Sequence, residues 1–397
     1  MADLGYQAFD ADNHYYEAED AFTRHIDPRM AKRTMQWGDI GGKKRLLVGG
    51  KINRFIPNPT FDPVSKPGAL EDYFRSKASN GGNIVEAFGE LDPIHIEYRS
   101  RDARLALMKS QGLQGAFFFP TLGVGMEESL KHDVPALLAA FRAFNRWLDE
   151  DWGFAYKESI FAAPYITLAD PDWAVEELEW ALSRDLRLIV MRSGPVITQA
   201  GSYRSPGDPI FDPFWARVSE AGITTTYHGG DAGYGRYAAD WGESGETESF
   251  RHPVLTRLLS PQPVHDTMAA LIAQGVFARH KNLRLAAIEN GSGWVGTLTT
   301  ALKKAWVQVP HEFAEDPMET FQRHVWVSPF FEDDLDALKK LVPAERMMMG
   351  SDYPHAEGLP NPTDWVREIP NFTKQEQLLV MRENPLSLSV QQSVFHA

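Results

Sequence analysis

Asp10, Asp12 and His14 stand at alternate positions of "DADNH", so an extended backbone turns all three side chains to one side. Further along, His228 leads into "HGGD", Glu289 and Asn290 end an apolar run, and "GSDYPHAEG" carries Asp352, His355 and Glu357. Carboxylates and imidazoles gathered without positive charge repel one another, at a cost of order several kcal/mol once buried. A divalent cation removes that cost, and these residue types are its usual ligands. Taken alone, "DADNHY" is also the pattern of a turn. It opens like a calcium-binding loop, but the sixth position is Tyr15 rather than glycine and the twelfth is Ala21 rather than glutamate, which excludes that reading.

Short apolar runs must position these groups, each with a polar or glycine-rich exit: residues 6–12, 113–121, 159–170, 186–194, 222–231, 283–291, 325–333 and 346–355. Helical patterns fill the gaps. "DVPALLAAFRAFNRWLDED" spaces its apolar residues three and four apart behind Pro135, and "DPDWAVEELEWALSRD" opens on Asp170 as N-cap with Pro171 next. Strand and helix in alternation imply a parallel sheet with crossover helices. Eight such units predict a closed (β/α)8 TIM barrel, with a doubly wound open sheet as the alternative. The C-terminal ends of barrel strands form the mouth where chemistry sits. There the first, fifth, sixth and eighth runs would deliver Asp12 with His14, His228, Glu289, and Asp352 with His355. Residues 25–100, with "FIPNPTFDPVSKPG" and "SKASNGGN", break the rhythm. They predict an irregular insertion after the first strand, folded over the mouth of a single domain spanning residues 1–397.

Bulk composition narrows the function further. The net charge of −14 over 397 residues argues against nucleic acid as a partner. The absence of cysteine excludes disulfides, thiolate metal sites and a thiol nucleophile. "MADLGYQAFDADNHYYE" lacks a basic start followed by an apolar core, and no apolar run is long enough to span a membrane, so the cytoplasm is the expected location. "GSGWVG" (291–296) fits the dinucleotide fingerprint, but no strand ending in an acidic residue follows it, and no nucleotide cofactor is expected. There is no G-x-S-x-G elbow. His252, after the fifth run, is a candidate to touch substrate, whereas His396 reads as a terminal group.

With these residues in view, the chain resembles the amidohydrolase superfamily, and within it the branch of aminocarboxymuconate-semialdehyde decarboxylase and related aromatic acid decarboxylases and hydrolases. "DADNHYYE", "TTYHGGD", "IENGSGW", "GSDYPHAEG" and "RENPLSL" carry the resemblance, which covers the chain outside the insertion. Asp12 stands where many members carry histidine, and so does Glu289. Arg192 stands near where dinuclear members place a carboxylated lysine, so a dinuclear centre would need another bridge. The resemblance implies a divalent ion, zinc or else iron or manganese, held by Asp12, His14, His228 and Asp352. Asp352 would shuttle a proton, with Glu289 and His355 as ligands of a second ion or acid/base partners. The implied reaction is hydrolysis or decarboxylation of a small organic carboxylate or acyl compound. Arg192, Arg236, Trp294 and Tyr227 are candidates to bind it. A homodimer is the assembly expected from similar proteins. Two other readings stand beside this one. The carboxylate-rich donor set also suits a non-haem iron oxygenase, and the aromatic loops would suit a non-catalytic binding barrel.

Overall fold

The computed structural model describes residues 1–75, 84–244 and 253–392; His252 and His396 lie outside the described residues. Seven strands run Ala8–His14, Leu113–Phe119, Ile160–Ala162, Leu188–Met191, Thr224–His228, Arg284–Ile288 and Val325–Ser328. The first three pair in parallel as one arc, and the last four as another. A bridge between Tyr165 and Val190 joins the arcs on one side, where the Ile166 N–H donates to Val190 O at 3.0 Å. On the other side, residues 347–353 form the eighth position, bridged to Val327 at Met347 and to Asn13 at Tyr353. The N–H groups of Ala11 and Asp352 donate across this seam to Met349 O and Asp12 O. The ring closes. A (β/α)8 barrel is therefore the fold, and the open sheet is excluded because neither arc keeps a free edge.

Every residue of the first, fourth, fifth, sixth and seventh strands is buried, as expected of strands covered on both faces. The helix Val134–Asp151 starts where the Asp133 side chain accepts the Ala136 N–H, and Pro171–Leu182 starts in the same way at Asp170. The third run is far shorter as a strand than its apolar length suggests. Pro164 offers no N–H to a ladder, and beyond it Asn145 substitutes for a strand partner, with its amide donating to Tyr165 O at 3.0 Å and its carbonyl accepting the Tyr165 N–H at 2.9 Å.

The insertion holds more regular structure than its composition predicts. Met35–Ile40 pairs antiparallel with Lys43–Val48, which pairs with Lys51–Ile52, and Val64–Ser65 pairs with Leu91–Asp92. Charged residues on the exposed faces mask the alternation in "KKRLLV". Among the described residues no helix is long and apolar enough to cross a membrane.

Candidate metal centre

The strand exits converge. His14 is 1% exposed, and its Nε2 lies 3.3 Å from Asp12 Oδ1, 3.3 Å from Asp352 Oδ1 and 3.7 Å from Glu289 Oε2. His228 Nε2 lies 3.2 Å from Asp12 Oδ1 and 3.0 Å from Glu289 Oε2. Its Nδ1 is 2.8 Å from the Gly229 carbonyl, which can only accept, so Nδ1 carries a proton and Nε2 is the nitrogen turned to the carboxylates. His355 stacks 4.0 Å from the His14 ring, with Nδ1 2.6 Å from Asp352 Oδ1.

Three overlapping groups have ligand atoms all within 4.8 Å of one another: Asp12, His14, His228 and Glu289; His14, Asp352 and His355; and Glu289, Asp352, His355 and Glu357. The expected residues all come together here: Glu289 groups with Asp12, His14 and His228, and Asp352 groups with His14 and His355. Asp10 stands apart from its expected companions, because a register shift interrupts the first strand between Asp10 and Asn13. Its carboxylate instead accepts from Ser351 N (2.9 Å), Ser351 Oγ (2.5 Å), Asn13 Nδ2 (3.0 Å) and Asp12 N (3.1 Å), tying the first and eighth exits together.

The backbone is strained at two of these residues. Glu289 and Asp352 both adopt φ of 55°, a left-handed conformation costing about 1 kcal/mol or more for a residue with a side chain. Each leaves its strand there and turns its carboxylate back over the mouth.

Electrostatically the cluster is short of positive charge. Burial raises Glu289 well above the usual carboxylate range, with repulsion from Asp352 adding to it. Burial does the same for Asp352, helped by Glu357 and Asp12, and it raises Glu357 as well. Burial and the neighbouring His355 push His14 well down. For Asp12 burial pulls upward, but hydrogen bonds and charge from His14 and His228 outweigh it and the net shift is downward. For His228 burial pulls downward, and Glu289 with Asp12 more than reverse it. The residues fit a divalent ion on a separate count: buried His14 turns Nε2 toward carboxylate oxygens of both Asp12 and Asp352, each 3.3 Å away. The all-nitrogen and oxygen donor set suits manganese, iron or zinc.

A cavity of about 910 Å³ opens above the cluster. His14, His228, Glu289, His355 and Glu357 line it below, and Phe55, Phe61, Phe88 and Leu91 of the insertion line it above. The size is that of a small-molecule site.

The expected substrate-binding residues fare less well. Arg192 lines the cavity, but its guanidinium donates to Ala232 O at 2.7 Å and Pro195 O at 2.6 Å and lies 3.6 Å from both Glu127 and Glu128, so its charge is already engaged. Arg236 does not line the cavity; it stacks on Tyr203 and Tyr237 at 4.2 and 4.9 Å. Tyr227 is 1% exposed, and the two-residue period of the strand turns it away from the side His228 faces. Trp294 is 2% exposed in the first turn of Gly293–Gln308, where it packs on Phe321 and donates to Gly291 O at 3.0 Å. Neither ring reaches the mouth. Two neighbours of the centre had no place in the sequence reading. Thr121 contacts His355 at 3.0 Å and is the polar exit of the second run, the same signal that marks the other strands. Glu17, buried beside it, carries no signal in "HYYEAED".

Residues 94–389 match the family described as amidohydrolase, and the chain belongs to that family. An amidohydrolase from Mycobacterium avium subsp. paratuberculosis is similar throughout: 42% identity, TM-score 0.92, covering 98% of this chain and 100% of that one. Two more distant structures share the fold. A 2,6-dihydroxybenzoate decarboxylase from Rhizobium has 19% identity and a TM-score of 0.56, covering 83% of this chain and 96% of its own. A 5-carboxyvanillate decarboxylase from Novosphingobium aromaticivorans, complexed with manganese and a nitrobenzoic acid, has 13% identity and a TM-score of 0.59, covering 98% and 97%. No curated protein matches the chain significantly.

Proposed function

We propose that this amidohydrolase holds a divalent ion through Asp12, His14, His228 and Glu289 and hydrolyses or decarboxylates an organic acid or acyl compound with an apolar body. The carrying observation is that His14 and His228 both turn Nε2 toward carboxylates of Asp12 and Glu289 at the floor of an aromatic-walled cavity. When bound, such an ion supplies Lewis acidity and an acidified water. The rest falls to the chain. Asp12 and His228 orient one side of the site, and Asp352 Oδ1, between His14 and His355, is placed to take a proton and return it. The insertion's aromatic side chains cover the apolar part of the substrate and exclude water.

Manganese is the proposed ion. A carboxylate-rich set favours it, and it is the metal in the carboxyvanillate decarboxylase. The decarboxylase structures also support loss of CO₂ as the first reaction to test. The iron-oxygenase reading gains no support from the relatives. A homodimer and a cytoplasmic location complete the proposal, and light scattering checks the first.

The test is metal analysis by plasma mass spectrometry on protein purified without added metal or a nickel column. It is followed by assay against a panel of aromatic and aliphatic carboxylates. At least one divalent ion per chain is expected, with turnover lost on chelation and regained with manganese. His228→Ala should lose metal affinity by about 100-fold or more and turnover with it. Protein that neither carries nor takes up metal would sink the proposal.

A further inference from the structure

We infer that the cavity takes a substrate charged at its far end: the reacting group at the metal centre, an apolar body beneath the insertion, and a carboxylate received by Arg257 at the outer wall. This rests on the metal reading above and narrows the substrate it implies. Among the described residues, Arg192 and Arg257 are the arginines that line the cavity, and no lysine does. Arg192 is held by backbone carbonyls and two glutamates. Arg257, in the helix Val254–Leu259, is exposed, and its side chain pairs with no carboxylate or carbonyl among the described residues. A guanidinium presents a rigid fork that matches the two oxygens of a carboxylate. A cation in the last turn also suits the helix that carries it, but that effect is weak at a surface and does not require the side chain to border a cavity.

The position lies away from the metal centre. Val254–Leu259 and the helix Gln262–Ala273 follow the fifth strand, whose exit supplies His228, and in a barrel the helices form a ring outside the strands. Ser260, Pro261 and Pro263 continue the wall that Arg257 begins. Ser193, after the fourth strand, also lines the cavity. The neighbouring Gly194 N–H donates to Thr267 Oγ1 at 2.7 Å, which ties this loop to Gln262–Ala273. The Ser193 side chain is buried and Oγ has no partner, so its hydroxyl is free to turn to an anion.

Size and charge agree with a long, singly charged tail. At about 910 Å³ the cavity has the volume of a drug-sized ligand rather than of a single-ring acid. Phe55, Phe61, Phe74 and Phe88 roof it, and an apolar body is what such rings cover. Glu332 and Asp333 line the cavity as well. Their negative charge opposes a phosphate dianion more than a carboxylate, and Arg257 balances one charge.

The experiment is titration calorimetry on full-length, manganese-loaded protein. The probes are α,ω-alkanedicarboxylates from adipate to tetradecanedioate, each set against the monocarboxylate of equal length. At the length that spans the cavity the diacid should bind about 10- to 100-fold tighter, the worth of hydrogen bonds to a charged group. Arg257→Gln should remove that preference, Arg257→Lys should keep part of it, and Ser193→Ala should weaken it, with circular dichroism confirming the fold of each. Tighter binding of the matching ω-phosphono acid would overturn the carboxylate assignment. Monoacids that bind as tightly as diacids at every length, or a preference that survives Arg257→Gln, would overturn the inference and leave the metal-dependent reading intact. Protein that takes up no manganese would overturn both.

Discussion

The Glu17 carboxyl is 1% exposed and unevenly satisfied. Oε1 accepts the N–H groups of Leu122 at 2.8 Å and Gly123 at 3.0 Å, whereas Oε2 is buried without a partner. Burial pushes its pKa up from 4.5 to about 7, and the two N–H donors only partly oppose that. Between those values the native chain keeps a proton that the unfolded chain has released. Stability therefore falls as pH rises from about 4.5 to about 7 and then levels off, by about 3 kcal/mol in all. Glu17→Gln retains a carbonyl acceptor for the two N–H groups and removes the titration. In urea denaturation of metal-free protein at pH 5 and pH 8, the wild type should lose about 3 kcal/mol more than Glu17→Gln across that interval. Parallel losses in the two proteins would show that Glu17 is ionised in the native state throughout. The residue lies beside the centre without belonging to it, so the measurement reports on how burial outweighs its two N–H donors.

At the scale of the elements, the eighth segment reaches its place because Gly350 has no side chain. A Cβ there would stand 2.5 Å from Ser328 Oγ and 2.6 Å from Asp12 Cβ, between the first and seventh strands. Gly350→Ala must push Asp12 off its position, and overpacking of this kind costs about 1–3 kcal/mol. Manganese affinity by titration calorimetry should fall at least tenfold; an unchanged affinity would show that the centre tolerates a displaced first strand. This packing was not legible in the sequence, though the elements were. Seven apolar runs became strands because their residues are buried on both faces, and the polar groups at four exits met because barrel strands end at one mouth. The eighth run was legible as an element but not as a short bridged segment. Proximity along the chain misled elsewhere. Tyr227 adjoins His228 and faces the other way, Trp294 follows Glu289 into a helix and packs in the core, and Arg236 stacks on tyrosines outside the cavity. The short-range periodicity of strands could have removed Tyr227 beforehand. The left-handed turns at Glu289 and Asp352, next to the cluster, are announced by no pattern of residue types.

For the molecule as a whole, the centre is also a closure. The proposed ligands come from the exits of the first, fifth and sixth strands and the eighth segment, so an ion held there would clamp both arcs of the barrel across the mouth. Without it, the carboxylates of Asp12, Glu289, Asp352 and Glu357 face one another in a chain whose net charge is already −14. An ion present at 100 times its dissociation constant stabilises the native state by about 2.7 kcal/mol per site, provided the unfolded chain does not bind it. Chelation should therefore lower Tm by several degrees, and micromolar manganese should restore it in steps that follow occupancy. Sodium chloride should not substitute, because buried charges are screened far less than exposed ones. A Tm that ignores chelation, or that recovers equally in plain salt, would mean that these side chains are held by packing and that no ion joins the two arcs.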